Sequence, residues 1–158
     1  MEPRAEPLPV PAVYGTRTRD LDWGWARERL EKALQYWLVT TRPDGTAHVN
    51  PVDGLWLDDV WIHGGSAESV RHRNLERNPE AVVHLGDAEA VVVVEGTVTM
   101  RMPSAADADR MAATAKAKYG YSPGAAVYRS GVWALVPRRA RAWSSYPADA
   151  TRFVFGQG

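Results

Sequence analysis

The spacing of apolar and polar residues predicts a helix near the start of the chain, followed by strands. Over residues 23–35 apolar side chains recur on one face and charged side chains occupy the other, which is the pattern of an amphipathic helix. Asp20 or Asp22 precedes this segment and is a typical helix cap, because its carboxylate accepts from free backbone N–H groups.

Strand-forming residues dominate the next part of the chain, and turn residues divide them. Two hairpins are predicted, over residues 37–52 and 55–62, because Pro43-Asp44-Gly45 and Asp58-Asp59 are turn signals between runs of strand formers. A very polar helix is predicted next, over residues 66–77.

The second half of the chain continues the pattern of strands around a helix. The predicted elements are strands over 82–85, 90–102 and 151–155 and a helix over 105–118 capped by Ser104. The run Val91–Val94 is too apolar for a face in water, so we expect it to be buried on both faces. A strand over 132–143 is expected to break near Pro137, because proline cannot donate to a sheet.

About six strands and three helical segments favour a mainly β (α+β) fold, an antiparallel barrel with peripheral helices. The prolines of residues 1–20 predict an extended N-terminal arm that either wraps a partner subunit or is disordered. We expect residues 21–158 to form a single domain.

Composition and charge exclude several classes of function. Lys+Arg and Asp+Glu are both 19, so neither a nucleic acid nor an anionic membrane is expected as a partner. The absence of cysteine excludes disulfides, thiolate metal sites and a cysteine nucleophile. With no run of ~18 apolar residues and no apolar stretch in the acidic N-terminal segment, we expect a soluble cytoplasmic protein.

Residues 63–75 have the composition of a phosphate site. A Gly-Gly pair ends a strand, and the predicted helix start carries Ser66, Ser69, Arg71 and Arg73. A helix N-terminus is partly positive, hydroxyls donate to phosphate oxygens and arginine can clamp them. The alternative is a capped surface helix with solvated arginines.

The sequence gives little evidence for other chemistry. The four histidines, at 48, 63, 72 and 84, lack the close pairing of a zinc helix, so no metal site is expected. Turn chemistry explains Asp58-Asp59 better than acid–base catalysis does. No nucleophile elbow, P-loop or dinucleotide fingerprint is present, and catalytic residues stay unassigned. If a side chain supplies a proton, His48 and Tyr146 are the candidates.

Short motifs between residues 30 and 155 occur in an order typical of one family. They are Asp44-Gly45, His48, Pro51-Val52, Ser69-Val70-Arg71, Arg73-Asn74-Leu75 and Asn78-Pro79, then Ala142-Trp143 and Ala150-Thr151-Arg152-Phe153. The ordered set resembles the split-barrel flavoproteins of the pyridoxamine 5′-phosphate oxidase superfamily, above all their flavin/deazaflavin-dependent oxidoreductase branch.

The resemblance implies a six-stranded antiparallel split β-barrel (the FMN-binding split barrel) and a homodimer with the cofactor in a groove between subunits. By this resemblance Ser69 and Arg71, helped by Arg73, hold the cofactor phosphate, and Asn50–Val52 runs along the isoalloxazine-type ring. Trp143 either reaches across the dimer or packs in the core. The full candidate cofactor-binding set is His48, Asn50, Pro51, Val52, Ser66, Ser69, Arg71, Arg73 and Trp143.

Departures from the family narrow the expected function. The segments YWLVTTRPDG and RFVFGQG match neither the FMN strand motif nor the substrate signature of pyridoxamine phosphate oxidases proper, so vitamin B6 oxidation is not expected. Arg71 stands where the family commonly has lysine, which keeps the charge but changes the geometry.

Coenzyme F-420, a deazaflavin, is favoured over FMN, with heme or no cofactor as further alternatives. The 16 arginines against 3 lysines are compatible with an actinobacterial origin, where the F-420 branch is largely found. The expected function is an oxidoreductase that transfers hydride between bound deazaflavin and a small organic substrate with an activated double bond. An FMN-dependent oxidase or reductase and a non-catalytic flavin or deazaflavin carrier are the alternatives.

Overall fold

The computed structural model describes residues 2–156 and shows one antiparallel sheet flanked by helices. The strands are β1 (Arg4–Pro7), β2 (Tyr36–Thr41), β3 (Ala47–Val52), β4 (Leu55–Leu57), β5 (Val60–His63), β6 (Glu80–His84), β7 (Val91–Arg101), β8 (Val132–Trp143) and β9 (Thr151–Val154). The helices are α1 (Trp23–Lys32), α2 (Val70–Arg77), α3 (Ala105–Tyr119) and α4 (Ala125–Arg129), with a 3-10 turn at Ala12–Tyr14.

The strand order is β1-β9-β8-β7-β6-β2-β3, and the sheet does not close on itself. The long strand β8 joins two parts of it: Trp133–Leu135 pairs with β5, while Arg139–Ala142 pairs with β9. This open antiparallel sheet with peripheral helices confirms the predicted split barrel. The described residues form nine strands rather than about six, and β1, which pairs with β9 at the edge of the sheet, lies outside every strand segment that the sequence predicted.

Helix α1 covers the main core, as its apolar pattern predicted. Asp22 caps it by accepting from the backbone N–H of Gly24 at 2.7 Å, and Trp23 and Leu30 are buried. The helix ends at Lys32, earlier than expected, so Leu34 lies beyond it and is 57% exposed.

Two expectations for the long strands are wrong. In β7, Val92 and Val94 are fully buried but their neighbours are partly exposed, because only one face of the strand meets the core. Strand β8 runs through Pro137 without a break. Glu95 of β7 pairs with Arg139 and Gly96 pairs with Pro137, so Arg138 is the extra residue of a bulge in β8. This bulge accommodates the neighbouring proline, which cannot donate.

The β4–β5 hairpin has Asp58 and Asp59 at its tip, with positive φ angles of 51° and 55°. Asp59 accepts from the indole of Trp23 at 3.1 Å and from both Nε and Nη2 of Arg27. Exposed Asp58 pairs with Arg110 of α3. These contacts agree with a structural role for the acidic pair, in which the hairpin tip is fastened to both helices.

The first residues of the N-terminal arm lie in the sheet. Strand β1 pairs with β9 of the same chain, and the backbone N–H of Leu8 donates to the carbonyl of Ala150 at 3.2 Å. The division into an arm and a domain at residue 20 stays a prediction. No helix within residues 2–156 is long and apolar enough to cross a membrane.

Candidate functional site

Arg71 is a partly buried arginine without an acidic partner among residues 2–156. It lies in the first turn of α2, and its Nη2 donates to the carbonyl of Gly64 at 3.3 Å. Its buried Nε has no hydrogen-bond partner in the described residues, and burial lowers the pKa of its guanidinium. A partly desolvated cation with an unused donor favours an anionic ligand.

Strand β3 presents polar side chains on the face of the sheet that α2 covers. His48, Asn50 and Val52 share its more buried face, while Pro51 is exposed on the other. Burial lowers the pKa of His48, and the positive charges of Arg42 and Arg71 lower it further. His48 pairs with Thr40, whose hydroxyl accepts from Asn74 of α2, so His48 lies on the face of the sheet that α2 covers.

Within the described chain, Nδ1 of His48 and Oδ1 of Asn50 are buried without a hydrogen-bond partner. The strand pairs only with β2 there, so its outer backbone edge is open. Among the described residues, strand β3 therefore carries unused backbone and side-chain groups at the edge of the sheet.

Two more histidines lie beside Arg71 in a stack of four rings. Ring centroids are 4.5 Å apart for Trp61 and His63, 5.6 Å for His63 and His72, and 4.9 Å for His72 and Trp133. Both imidazoles donate through Nδ1 to backbone carbonyls, so each neutral ring presents a bare Nε2, and both Nε2 atoms are buried without a described partner. Burial lowers the pKa of His63 to about 3 and also lowers the pKa of His72.

The serines and Arg73 occupy different places around the start of α2. Ser69 is the helix cap and accepts from the backbone N–H of His72 at 3.4 Å. Ser66 lies in the preceding turn, where its hydroxyl accepts from the N–H of Glu68, so the prediction that it begins the helix is wrong. The local turn uses this hydroxyl before the helix begins. Arg73 is exposed.

Trp143 lies at the far end of β8 from the histidine stack. It pairs with Val91 across the sheet, and its ring contacts the ring of exposed Tyr146 at 5.3 Å. Thus His48 lies on the sheet face that α2 covers, and Ser66 and Ser69 flank the start of the helix that carries Arg71, whereas Trp143 lies elsewhere on this subunit.

A cavity of about 480 Å³ lies between the β4–β5 hairpin and helices α3 and α4, and Gly64 and Gly65 form part of its lining. We call it the tyrosine cavity, and its walls include Tyr119, Tyr121, Tyr128, Val127, Val132 and His63. The sequence analysis missed both this cavity and the histidine stack. The signal for the cavity was the group of tyrosines at 119, 121 and 128, between the predicted helix 105–118 and the predicted strand 132–143.

A buried amide holds α2 in place against the sheet. Asn74 donates through Nδ2 to the hydroxyl of Thr40 in β2 at 3.0 Å, and both side chains are almost fully buried. This contact fixes the helix that carries Arg71, so the motif residue Asn74 positions the site and does not line it.

Comparisons with solved structures show the same fold. A conserved hypothetical protein of Mycobacterium tuberculosis aligns with a TM-score of 0.65 at 19% identity, covering 81% of this chain and 89% of that one. An F420 reductase aligns with a TM-score of 0.56 at 23% identity, covering 72% and 94%. A heme binding protein of Mycobacterium smegmatis aligns with a TM-score of 0.58 at 22% identity, covering 80% and 55%.

A search of the curated proteins finds no match to the sequence. The model of the pyridoxamine 5′-phosphate oxidase family, however, matches residues 25–144, which include β2 to β8 and all of the Arg71 surroundings. The chain therefore belongs to the pyridoxamine 5′-phosphate oxidase family.

Proposed function

We propose that the protein is an oxidoreductase that transfers hydride between bound coenzyme F-420 and a small organic substrate with an activated double bond. The observation that carries the proposal is Arg71, a partly buried arginine with an unused Nε and no acidic partner in the described chain. A phosphate-bearing cofactor supplies the missing anion, and the family membership makes flavin or deazaflavin redox chemistry plausible.

The residues around Arg71 fit such a cofactor. Arg71 and the hydroxyl of Ser69 hold the phosphate in this proposal, with Ser66 and Arg73 supporting them. Each serine hydroxyl accepts one backbone N–H and still has its own O–H to donate. The phosphate therefore meets donors from the turn, the helix cap and the guanidinium.

The open strand β3 holds the ring system in this proposal. Asn50 and His48 offer unused polar atoms, and the chain from Asn50 to Val52 offers backbone groups and an apolar wall. When bound, the deazaflavin supplies the hydride chemistry, so the protein needs no catalytic triad. The protein's part is to bind the ring at a fixed edge and exclude water from it.

A second copy of the chain completes the site in this proposal. Trp143 lies at the far end of β8 on the same subunit, so its assignment to the cofactor requires a homodimer in which it reaches the other copy's groove. The exposed faces of Trp37 and Val49, beside the open edge of β3, are surfaces that such a dimer would cover.

FMN is the second candidate cofactor. It carries the same kind of phosphate and a similar ring, so Arg71 and β3 suit it as well. An F420 reductase among the structural neighbours favours the deazaflavin. A carrier without turnover uses the same binding residues.

Fluorescence titration of the purified protein with F-420 and with FMN tests the proposal. We expect one of them to bind below millimolar concentration and Arg71→Ala to weaken it by about 10- to 150-fold, the effect of one charge-assisted contact. Arg77→Ala, which removes an exposed arginine from the last turn of the same helix, is the matched control and should leave affinity unchanged.

Failure of both cofactors to bind, or equal affinity in Arg71→Ala and the parent protein, contradicts the assignment. Hemin is a third probe in the same titration, and its selective binding would replace the flavin proposal. Turnover of an electron-poor alkene by the loaded protein then distinguishes an enzyme from a carrier.

A further inference from the structure

Lys118, in the last turn of α3, differs from the other two lysines of the chain because its side chain is partly buried. Its Nζ donates to the hydroxyl of Tyr36 in β2 at 2.7 Å and to the carbonyl of Gly54 at 3.1 Å. Both acceptors are uncharged, and no carboxylate of residues 2–156 forms an ion pair with this amine. Neither contact therefore requires a charged donor.

The number of hydrogen-bond acceptors around Nζ fits a neutral amine as well as an ammonium. An ammonium has three N–H groups, whereas a neutral amine has two and a lone pair. Loss of one proton from Lys118 therefore leaves both contacts intact and frees a lone pair. Lys32, by contrast, pairs with Glu28, which favours its charged form.

The surroundings of Nζ determine how much of the amine is neutral. Burial lowers the pKa of Lys118 to about 8, although the charge of Asp53 raises it. The rings of Tyr36 and Tyr119, with centroids 4.8 and 5.4 Å from Nζ, also favour the cation. At about pH 7 a pKa of about 8 leaves roughly a tenth of the amines neutral, against fewer than about one in a thousand for an ordinary lysine.

We propose that Lys118 is an acylation site, at which a small activated acyl donor modifies the amine held between Tyr36, Tyr119 and Gly54. The lone pair attacks the acyl carbon, a C–N bond forms, and the bond from that carbon to the leaving group breaks. The leaving group departs with the proton that the nitrogen releases. With acetyl phosphate as the donor, the products are acetyl-lysine and inorganic phosphate, and nothing is oxidised or reduced.

Acylation at this position would weaken the contact between α3 and the sheet. An acylated lysine is uncharged and keeps one N–H, so it can donate to the hydroxyl of Tyr36 or to the carbonyl of Gly54, but not to both. Gly54 and Tyr119 also line the tyrosine cavity. Modification of Lys118 should therefore loosen one wall of that cavity.

The labelling rates of the three lysines in the folded, cofactor-free protein test the proposal. The protein is treated briefly with acetyl phosphate at a series of pH values, then unfolded and acetylated completely with deuterated acetic anhydride. Mass spectrometry of the fragments gives the extent of the first reaction at each lysine. Lys116 is the matched reference, because it is exposed and lies in the same last turn of α3.

We expect Lys118 to react about tenfold faster than Lys116 near pH 7. This ratio is smaller than the excess of neutral amine, because a less basic nucleophile is also a weaker one and because partial burial slows the approach of the reagent. The rate at Lys118 should level off above about pH 8.5, whereas the rate at Lys116 should keep rising to about pH 10.5. Accessibility alone does not produce such a difference between the two pH profiles.

Variants test the structural consequence of the modification. Acetylation should lower the urea midpoint of the parent and of Lys116→Arg, but it should leave the midpoint of Lys118→Arg unchanged, since arginine keeps the charge and is not acylated. Equal rates at Lys118 and Lys116 near pH 7, or a rate at Lys118 that rises without levelling off, overturns the acylation site. Equal midpoints before and after acetylation of Lys118 overturn its consequence for α3. No flavin or deazaflavin enters these measurements, so their failure is distinguishable from failure of the cofactor assignment.

Discussion

The buried imidazole of His63 should make the protein sensitive to acid in a pH range where carboxylates contribute little. Burial holds the pKa of His63 at about 3 in the folded protein, against 6.5 for an exposed histidine. Between these two values the unfolded chain binds a proton that the folded chain does not, so the free energy of unfolding falls as pH falls. The full effect is present above the unfolded pKa and is lost progressively below it.

The size of the effect follows from the pKa difference. From about pH 7 to about pH 4.5, the unfolded imidazole becomes fully protonated while the folded one stays neutral, which lowers the free energy of unfolding by about 2.5 kcal/mol at about 1.36 kcal/mol per pH unit. Burial would raise the pKa of Asp149, but hydrogen bonds from Ser144 and Ser145 lower it below its ordinary 3.8. The stability that its carboxylate contributes is therefore lost only below this pH range.

Urea unfolding at the two pH values measures this difference. Across the interval the parent protein should lose about 2.5 kcal/mol more than His63→Phe, which keeps a ring between Trp61 and His72 but cannot titrate. His84→Phe, which removes a histidine from β6 outside the stack, should follow the parent. Equal losses in the parent and in His63→Phe would refute the argument that this imidazole is buried in its neutral form.

Three substitutions test how the site is held in place, each by urea unfolding. Asp59→Ala should lower the free energy of unfolding by about 2–3 kcal/mol, because a buried indole N–H and a guanidinium lose their acceptor. Its control, Asp58→Asn, affects one exposed ion pair and should lower the free energy of unfolding by less than about 0.5 kcal/mol. Gly96→Ala should destabilise by about 1–3 kcal/mol or more, since its Cβ would lie 2.2 Å from a carbonyl oxygen of β8, while Gly64→Ala has open space and should be neutral. Thr40→Val should cost about 1–3 kcal/mol because it leaves a buried amide of α2 unpaired. Equal effects within either matched pair, or a neutral Thr40→Val, would show that the named contact is not what holds the element.

The sequence was informative where local chemistry decides the structure. Turn residues located both hairpins, Ser104 and Asp22 cap the helices that their spacing predicted, and the hydrophobic runs located the strands. Prediction from the sequence failed where a residue on a distant strand offsets a local structural preference. Pro137 is a strand breaker by its own chemistry, but Gly96 of β7, some forty residues earlier, has no Cβ and lets the backbone of β8 approach closely beside the bulge at Arg138.

The candidate site was predictable only in part for the same reason. Arg71 and Ser69 could be proposed from the sequence because their residue types and order in one short segment are typical of phosphate binding. The ring stack was not found, because His63, His72 and Trp133 come from two strands and a helix that meet only through tertiary packing. No periodicity within a single element records such a contact.

The connection between β7 and β8 builds the tyrosine cavity from one continuous part of the chain. These strands pair along almost their whole length, yet residues 102–131 leave the sheet between them to form α3 and α4 and then return in register. That excursion supplies all three tyrosines of the cavity, whereas Arg71 and β3 come from the first half of the chain. The excursion therefore carries the aromatic wall of the cavity on one continuous segment, but Met111 and Ala115 of α3 also pack against Leu55 and Ile62 of the hairpin, so only the part after α3 can change without unpacking the sheet.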